Sequence, residues 1–353
     1  MDLIEPVHHM QLPREVLIGH GVFNKVGDLC RGLGFKSSIL ILTGPQVYEH
    51  ITRNFIQSLE NVRYDLMCYI VKESSFRYVK ETMKLIDESK PEVLLGIGGG
   101  KVIDVAKLAA SNSNLPFISI PTAASHDGIS SPRANIKDLE KSTSIDTQAP
   151  LAIVADLDVI SESPYRLTAS GCGDIISKYT AVRDWQLAHK LKNEYYGEYA
   201  ANLALMSAKL VLQNAKAIQQ KKESGIRVVL EALISCGVAM SIAGSSRPCS
   251  GSEHLFSHAL DRVSPKSALH GEQCGIGSIL MAYLQRKGWR MIEKNLRIIG
   301  APTTAEELGI EPKYIIEALT LASSLRPNRY TILGDGLTED VAENLAKAAG
   351  IID

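Results

Sequence analysis

No sign of charge dominates this chain. Across 353 residues, 38 Lys and Arg face 39 Asp and Glu, a net charge of −1. That balance provides no electrostatic footprint for nucleic acid or for an anionic membrane surface. No C-x-x-C pair occurs among the six cysteines, Cys30, Cys68, Cys172, Cys236, Cys249 and Cys274. A zinc ribbon or thioredoxin-type motif is thereby excluded, and free thiols in a reducing compartment are expected. No run approaches the ~20 apolar residues of a membrane span. Met1 to Gln11 contain no apolar core of a secretory signal. Internal repeats and low-complexity tracts are also missing. The expectation is a cytoplasmic protein with no nucleic-acid partner and no membrane insertion. What the chain does have is 45% apolar and 22% charged residues, the proportions of a globular fold. At ~150 residues per domain, its length suggests two.

The two halves differ in pattern. Ser38–Thr43, Leu66–Val71, Val93–Ile97, Pro116–Ile120 and Leu151–Ala155 are short apolar, β-branched runs that read as buried strands. Residues near 46–60, 76–90 and 102–112 carry helical spacing between them. Such alternation predicts an α/β, Rossmann-like domain with a mostly parallel sheet and helices on both faces. A polar, turn-rich segment from Ser125 to Ala149 interrupts it. Beyond Pro164 the pattern becomes helical, near 165–189, 194–220, 224–243, 252–262, 270–287 and 311–324. We therefore expect an α/β dinucleotide-binding domain over 1–163 and an all-helical domain over 164–353.

Gly96-Ile97-Gly98-Gly99-Gly100-Lys101-Val102-Ile103-Asp104 follows a strand run and opens a helical one. Clustered glycines let backbone N–H groups approach an anion, and a helix N-terminus favours negative charge. Val102 follows Lys101, so this is not a Walker A loop, and the spacing is not G-x-G-x-x-G. A tight turn alone rarely needs four glycines in five residues; a bound pyrophosphate explains them better. Pro121-Thr122-Ala123-Ala124-Ser125-His126-Asp127-Gly128 again follows a strand, at the edge where open α/β sheets bind ligands. There the Thr122 and Ser125 hydroxyls are candidate cofactor contacts and Asp127 a candidate acceptor for a substrate hydroxyl.

In the helical half, Asp174, His254, His258 and His270 form a third set. His254 and His258 are four residues apart and share a helical face. Packed histidines and a capping aspartate would look the same, and the Glu of a metalloprotease H-E-x-x-H is missing. Three histidines within seventeen residues, of nine in all, nevertheless raise a metal site. Imidazoles with a carboxylate suit catalytic Zn²⁺, and iron or nickel accept similar ligands.

With those segments in view, GIGGGKVIDVAK, ISIPTAASHDGISSPRA, SGCGD, SGSEHLFSHAL and ALHGEQ resemble the archaeal-type sn-glycerol-1-phosphate dehydrogenases. These belong with the glycerol dehydrogenases, iron-containing alcohol dehydrogenases and dehydroquinate synthases. The similarity runs from PREVLIGHGV to the histidine region, and PTAASHDGISSP is its most specific part. It implies a dehydroquinate synthase-like fold. It also implies reduction of dihydroxyacetone phosphate with NAD(H) or NADP(H), supplying the glycerophosphate of archaeal phospholipids. Gly98, Gly99, Gly100, Lys101, Val102, Asp104, Thr122, Ser125 and Ser131 would contact the cofactor. Asp174, His254 and His270 would hold one Zn²⁺, a Lewis acid on the C2 oxygen. Asp127, Asp174 and His258 would contact substrate and take part in catalysis.

Strand 38–43 ends in Thr43-Gly44-Pro45 without a carboxylate, so nothing there repels a 2′-phosphate and both dinucleotides are expected. The substrate phosphate needs cationic or N–H donors, for which Arg133, Lys137 and Arg247 are candidates. A polyol dehydrogenase, a dehydroquinate synthase-type lyase and a non-enzymatic nucleotide-binding protein are the competing readings. The abundance of apolar helical surface suggests a homo-oligomer.

Overall fold

The computed structural model describes residues 10–60, 64–138, 141–266 and 268–353. Strands β1 (Glu15–Gly19), β2 (Ser38–Thr43), β3 (Asp65–Ile70), β4 (Val93–Gly98) and β5 (Phe117–Pro121) come first. An antiparallel ribbon of β6 (Arg133–Asp138) and β7 (Lys141–Asp146) follows, and then β8 (Ala152–Asp156). All but the ribbon form one parallel sheet in the order β1-β8-β5-β4-β2-β3. The chain runs outward from β2 to β3, then returns to the other side of β2 as β4. That reversal between β2 and β4 is the topological switch point, where open sheets bind ligands at the carboxyl ends of their strands.

The central strands read as unbroken apolar runs because both faces are covered. Ile39, Ile41, Val93, Leu95, Ile118 and Val154 pack against α1 (Val26–Gly32) and α2 (Arg53–Glu60) through Val26, Cys30, Phe55 and Leu59. Leu40, Leu42, Leu94, Phe117 and Ile153 face the other way. They meet α3 (Phe76–Ser89), α4 (Gly100–Asn112) and a core that continues into the helical half.

That half comprises α5 (Tyr165–Lys192), α6 (Glu198–Gln213), α7 (Glu223–Ala243), α8 (Ser252–Val263), α9 (His270–Leu284), α10 (Trp289–Ile299), α11 (Pro312–Leu321) and α12 (Glu339–Ala348), with shorter helical turns between. The 28-residue α5 is its axis and packs on α6, α7, α8 and α9. Trp185 is fully buried on α5 and places its indole N–H 2.6 Å from the Tyr195 carbonyl. That bond fixes the turn from α5 into α6, where Asn193 adopts φ 53°.

Three differences from the sequence reading stand out. The edge strand β1 and the ribbon β6–β7 carry no strong apolar run. Helices α10 and α12 bury only one face each, through Ile292, Leu296 and Ile299 and through Ala342, Leu345 and Ala346. And one helix, α7, is long and apolar enough to cross a membrane by length and composition, with a mean hydropathy of 1.9 over its best window. It lies 61% buried among α5, α6 and the turn after β5, so its apolarity serves the core.

Candidate active site

The glycine motif sits where the topology predicts. Gly98 ends β4 and Gly99 precedes the first turn of α4, with no side chain capping that end. The first N–H groups of α4 therefore point outward without a protein side-chain partner, as an anion site requires. A Cβ on Gly98 would lie 3.0 Å from the Val102 side chain, and one on Gly100 would lie 1.8 Å from Nε2 of His126. Glycine at both positions lets the turn close against these groups. Lys101 is exposed, whereas Val102 packs under the turn. Asp104 is buried one turn into α4, 3.6 Å from Lys107 Nζ; burial raises its carboxyl pKa, against the pull of Lys107. Its Oδ1 has no hydrogen-bond partner.

The Thr122 N–H donates to the Gly98 carbonyl at 3.1 Å, which ties the two strand ends together. Ser125 is half-buried, and its carbonyl accepts from Ser170 Oγ at 3.4 Å. Ser131 is buried and lines the adjoining cleft.

Across that cleft, Asp174 on α5, His254 on α8 and His270 at the start of α9 converge, and Cys274 joins them. One donor atom from each lies within 4.8 Å of the others. His254 Nε2 is 3.5 Å from Asp174 Oδ1, and Cys274 Sγ is 3.5 Å from His270 Nε2. Tetrahedral zinc with its usual nitrogen, oxygen and sulfur bond lengths has ligand–ligand edges of roughly 3.3–3.6 Å. The donor set therefore fits a divalent cation in size as well as chemistry. His258 stands outside it, its ring 6.0 Å from that of His270. Cys274 went unnoticed in the sequence, although H-x-x-x-C places both side chains on one helical face. Burial alone would raise its thiol pKa, but His254 and His270 outweigh burial and bring it down to about 7.

A second layer orients these groups, as metal ligands require. Glu253 Oε1 lies 2.8 Å from His254 Nδ1, and Ser257 Oγ lies 3.2 Å from His270 Nδ1. The Asp127 N–H donates to Asp174 Oδ2 at 2.8 Å. Lys178, fully buried, sits 2.5 Å from Asp174 and 2.8 Å from Asp127. Glycines on α5 and α9 bring the backbones together. A Cβ on Gly173 would lie 2.2 Å from the Gly271 carbonyl, and one on Gly271 would lie 1.8 Å from that of Ser170. Gly271→Ala is accordingly expected to displace His270 and lower metal content, as metal analysis of the purified variant would show.

The cleft beside the metal donors is lined by Asp127, Ser131, Arg133, His254, His258 and Arg326 among others. It encloses about 40 Å³. A larger hollow of about 670 Å³ is lined by Tyr283–Met291 without an acid, a histidine or a cysteine. The chemistry therefore belongs to the smaller cleft. Here burial, then His270, His254 and Arg326, push the His258 pKa well down, leaving a neutral imidazole whose Nδ1 has no partner. Of the three candidate phosphate donors, Arg133 lines the cleft. Arg247 is buried and paired with Glu194, and the Lys137 side chain lies outside the described residues.

Residues 17–164 match the family described as iron-containing alcohol dehydrogenase. The chain is 54% identical over 344 residues to the glycerol-1-phosphate dehydrogenase [NAD(P)+] of Methanosarcina mazei, covering 98% of this chain and 97% of that one. It is 51% identical to the protein of that name from Thermococcus sibiricus, covering 98% and 99%. Among solved structures, a glycerol dehydrogenase from Schizosaccharomyces pombe superposes with a TM-score of 0.80 at 19% identity over 97% of this chain and 90% of that one. A sulfoacetaldehyde reductase from Bifidobacterium kashiwanohense in complex with NAD+ gives 0.78 at 17% identity, over 99% and 100%. These last two share the fold. The identity to the first two, spread across both sides of the cleft, carries further: the chain belongs to the glycerol-1-phosphate dehydrogenase family, among the iron-containing alcohol dehydrogenases.

Proposed function

We propose that this protein catalyses the NAD(P)H-dependent, reversible reduction of dihydroxyacetone phosphate to sn-glycerol 1-phosphate. The observation that carries the reading is that one segment after β5 touches both places: His126 packs against Gly100 of the uncapped glycine turn, and the next residue's N–H, that of Asp127, donates to Asp174 of the donor set. Residues 1–163 would bind the dinucleotide, and 164–353 would supply the metal donors. Among cofactor contacts, Gly98, Gly99, Gly100 and Lys101 would meet the pyrophosphate, with Thr122, Ser125 and Ser131 nearer the nicotinamide.

Asp174, His254 and His270 would hold a Zn²⁺, whose chemistry there would be that of a Lewis acid toward the substrate C2 oxygen, and the dinucleotide would supply the hydride. The chain's own groups do the rest. Lys178 holds Asp127 and Asp174 side by side through its two ion pairs, which orients both carboxylates. Asp127 then offers its free carboxylate capacity to a substrate hydroxyl. His258, kept neutral, leaves Nδ1 open as a proton acceptor or donor toward the substrate.

The test is oxidation of NADH and NADPH with dihydroxyacetone phosphate, with the product's stereochemistry identified, before and after chelation and Zn²⁺ readdition. Turnover to the sn-1 isomer, lost on chelation and restored by zinc, is expected. Activity on glycerol or dihydroxyacetone alone would move the function to a polyol dehydrogenase. Because β2 ends in Thr43-Gly44-Pro45 with no carboxylate, kcat/KM should differ by less than ~100-fold between NADH and NADPH; a preference above ~1,000-fold contradicts this.

The expected setting is the cytoplasm, where the product would feed archaeal phospholipid synthesis. A homo-oligomer is supported by Tyr199, Met206 and Leu210, exposed at helical spacing on α6.

A further inference from the structure

One wall of the active-site cleft is cationic without an internal reason. Arg133 and Arg326 both line it, and burial, with the nearby charges of Arg247, Arg326 and Arg133, lowers the pKa of Arg329 behind them to about 9. The partners of these arginines differ. Arg329 is anchored, its Nη2 donating to Ser246 Oγ at 2.8 Å and its Nη1 to the Ser250 carbonyl. Arg247 is committed to Glu194 and to the Tyr330 carbonyl. Arg133 is held on its outer side by Asp146, whose side chain is 87% exposed, and reaches Ser144 Oγ at 3.4 Å. Arg326 is half-buried; its carbonyl accepts from the Arg329 N–H, but among the described residues its guanidinium has no hydrogen-bond or ion-pair partner.

A guanidinium keeps its charge under any ordinary condition, so half-burying one without a protein partner has a cost that a bound anion would offset. The carboxylate facing the same cleft, Asp127, is taken by Lys178. The arginines also repel one another. Burial lowers the Arg326 pKa, and burial together with Arg326 brings that of Arg133 down to about 10. An anion placed between these groups would be met by two forked donors and by the Ser131, Ser246 and Ser250 residues along the same wall. That is the geometry in which arginine recognises phosphate, by paired N–H···O bonds.

We infer that Arg326, with Arg133 beside it, forms the subsite that takes the phosphate group of the substrate, and so selects a phosphorylated ketone over its unphosphorylated analogue. The inference rests on the reading given under Proposed function. It adds a residue for which the sequence offers no local signal, since Arg326 leaves an irregular segment after the last turn of 322–325.

The test compares wild type with Arg326→Gln and Arg326→Lys. Steady-state kinetics with dihydroxyacetone phosphate and with dihydroxyacetone would be combined with calorimetric titration by inorganic phosphate. In Arg326→Gln the ratio of kcat/KM for the phosphorylated over the unphosphorylated ketone should fall at least ~30-fold, mainly through KM. Phosphate affinity should fall with it, and Arg326→Lys should recover part of both by keeping the charge without the fork. An unchanged ratio together with unchanged phosphate binding in Arg326→Gln overturns the inference. Should wild type fail to turn over the phosphorylated ketone, the functional reading fails. The phosphate titration still decides the subsite, because it needs no turnover. Circular dichroism of each variant guards against misfolding, and Arg133→Gln provides a second variant that should weaken phosphate binding in the same direction.

Discussion

Asp174→Ala is expected to lose bound divalent metal and turnover together. Asp174 is fully buried at the point where three helices and the turn after β5 meet. Its Oδ2 takes the Asp127 N–H at 2.8 Å, while Oδ1 faces Lys178 at 2.5 Å and His254 at 3.5 Å. No other carboxylate lies in the donor group of Asp174, His254, His270 and Cys274. Removing an outer partner of a metal ligand costs ~10–100-fold in affinity, so removing the sole anionic oxygen ligand should cost more than ~100-fold. Metal content by elemental analysis should fall below one-tenth of wild type after dialysis, and kcat/KM should fall with it. Full activity in a metal-free Asp174→Ala protein would sink the metal's role.

The histidines should separate by the same two readouts. His254→Ala and His270→Ala are expected to behave like Asp174→Ala, since each removes a donor. His258→Ala should retain metal, because its ring stands 6.0 Å from that of His270 and outside the donor group. Its kcat should nonetheless fall by ~10²–10⁴-fold, the usual worth of a positioned proton-transfer group. Loss of metal in His258→Ala would instead make it a ligand.

How much of this was legible in the sequence follows from how each signal is generated. A strand buried on both faces writes its position as a continuous apolar run, and β2, β4, β5 and β8 were read that way. β1 is an edge strand, half-exposed along Glu15–Gly19, so its pattern is diluted. The ribbon β6–β7 is built from RANIKD and KSTSID, whose polar residues look like a loop until the partner strand is seen. The site shows the same division. The glycine turn and the histidines are local features with a spacing. Lys178 follows Asp174 and Cys274 follows His270 at i+4 on their own helices, a spacing that carries no meaning until the partner groups are seen. Arg326 comes to the cleft from far along the chain, and only the packing of α8 against the 322–325 turn brings it there. Arg247 illustrates the converse: a basic residue in a promising stretch that the fold spends on Glu194.

Lys178→Met is expected to destabilise the protein by ~3–5 kcal/mol, the range for removing one partner of a buried ion pair. Its ammonium is fully buried and stands 2.8 Å from Asp127 and 2.5 Å from Asp174. Burial alone would lower the Lys178 pKa; the two carboxylates outweigh it and hold the group well above its ordinary value. Methionine fills similar space but leaves both carboxylates without a counter-charge. For a chain of this length the melting temperature should fall by roughly 5 °C. A divalent cation on Asp174 would replace part of the missing charge. The deficit relative to wild type should therefore shrink when both proteins are melted with saturating Zn²⁺ rather than with chelator. Equal deficits under the two conditions would mean that Lys178 and the cation do not act on the same carboxylate. A smaller deficit with metal would show that this buried lysine and the cation act on the same carboxylate, which makes Lys178 the residue that keeps the site assembled between turnovers of its metal.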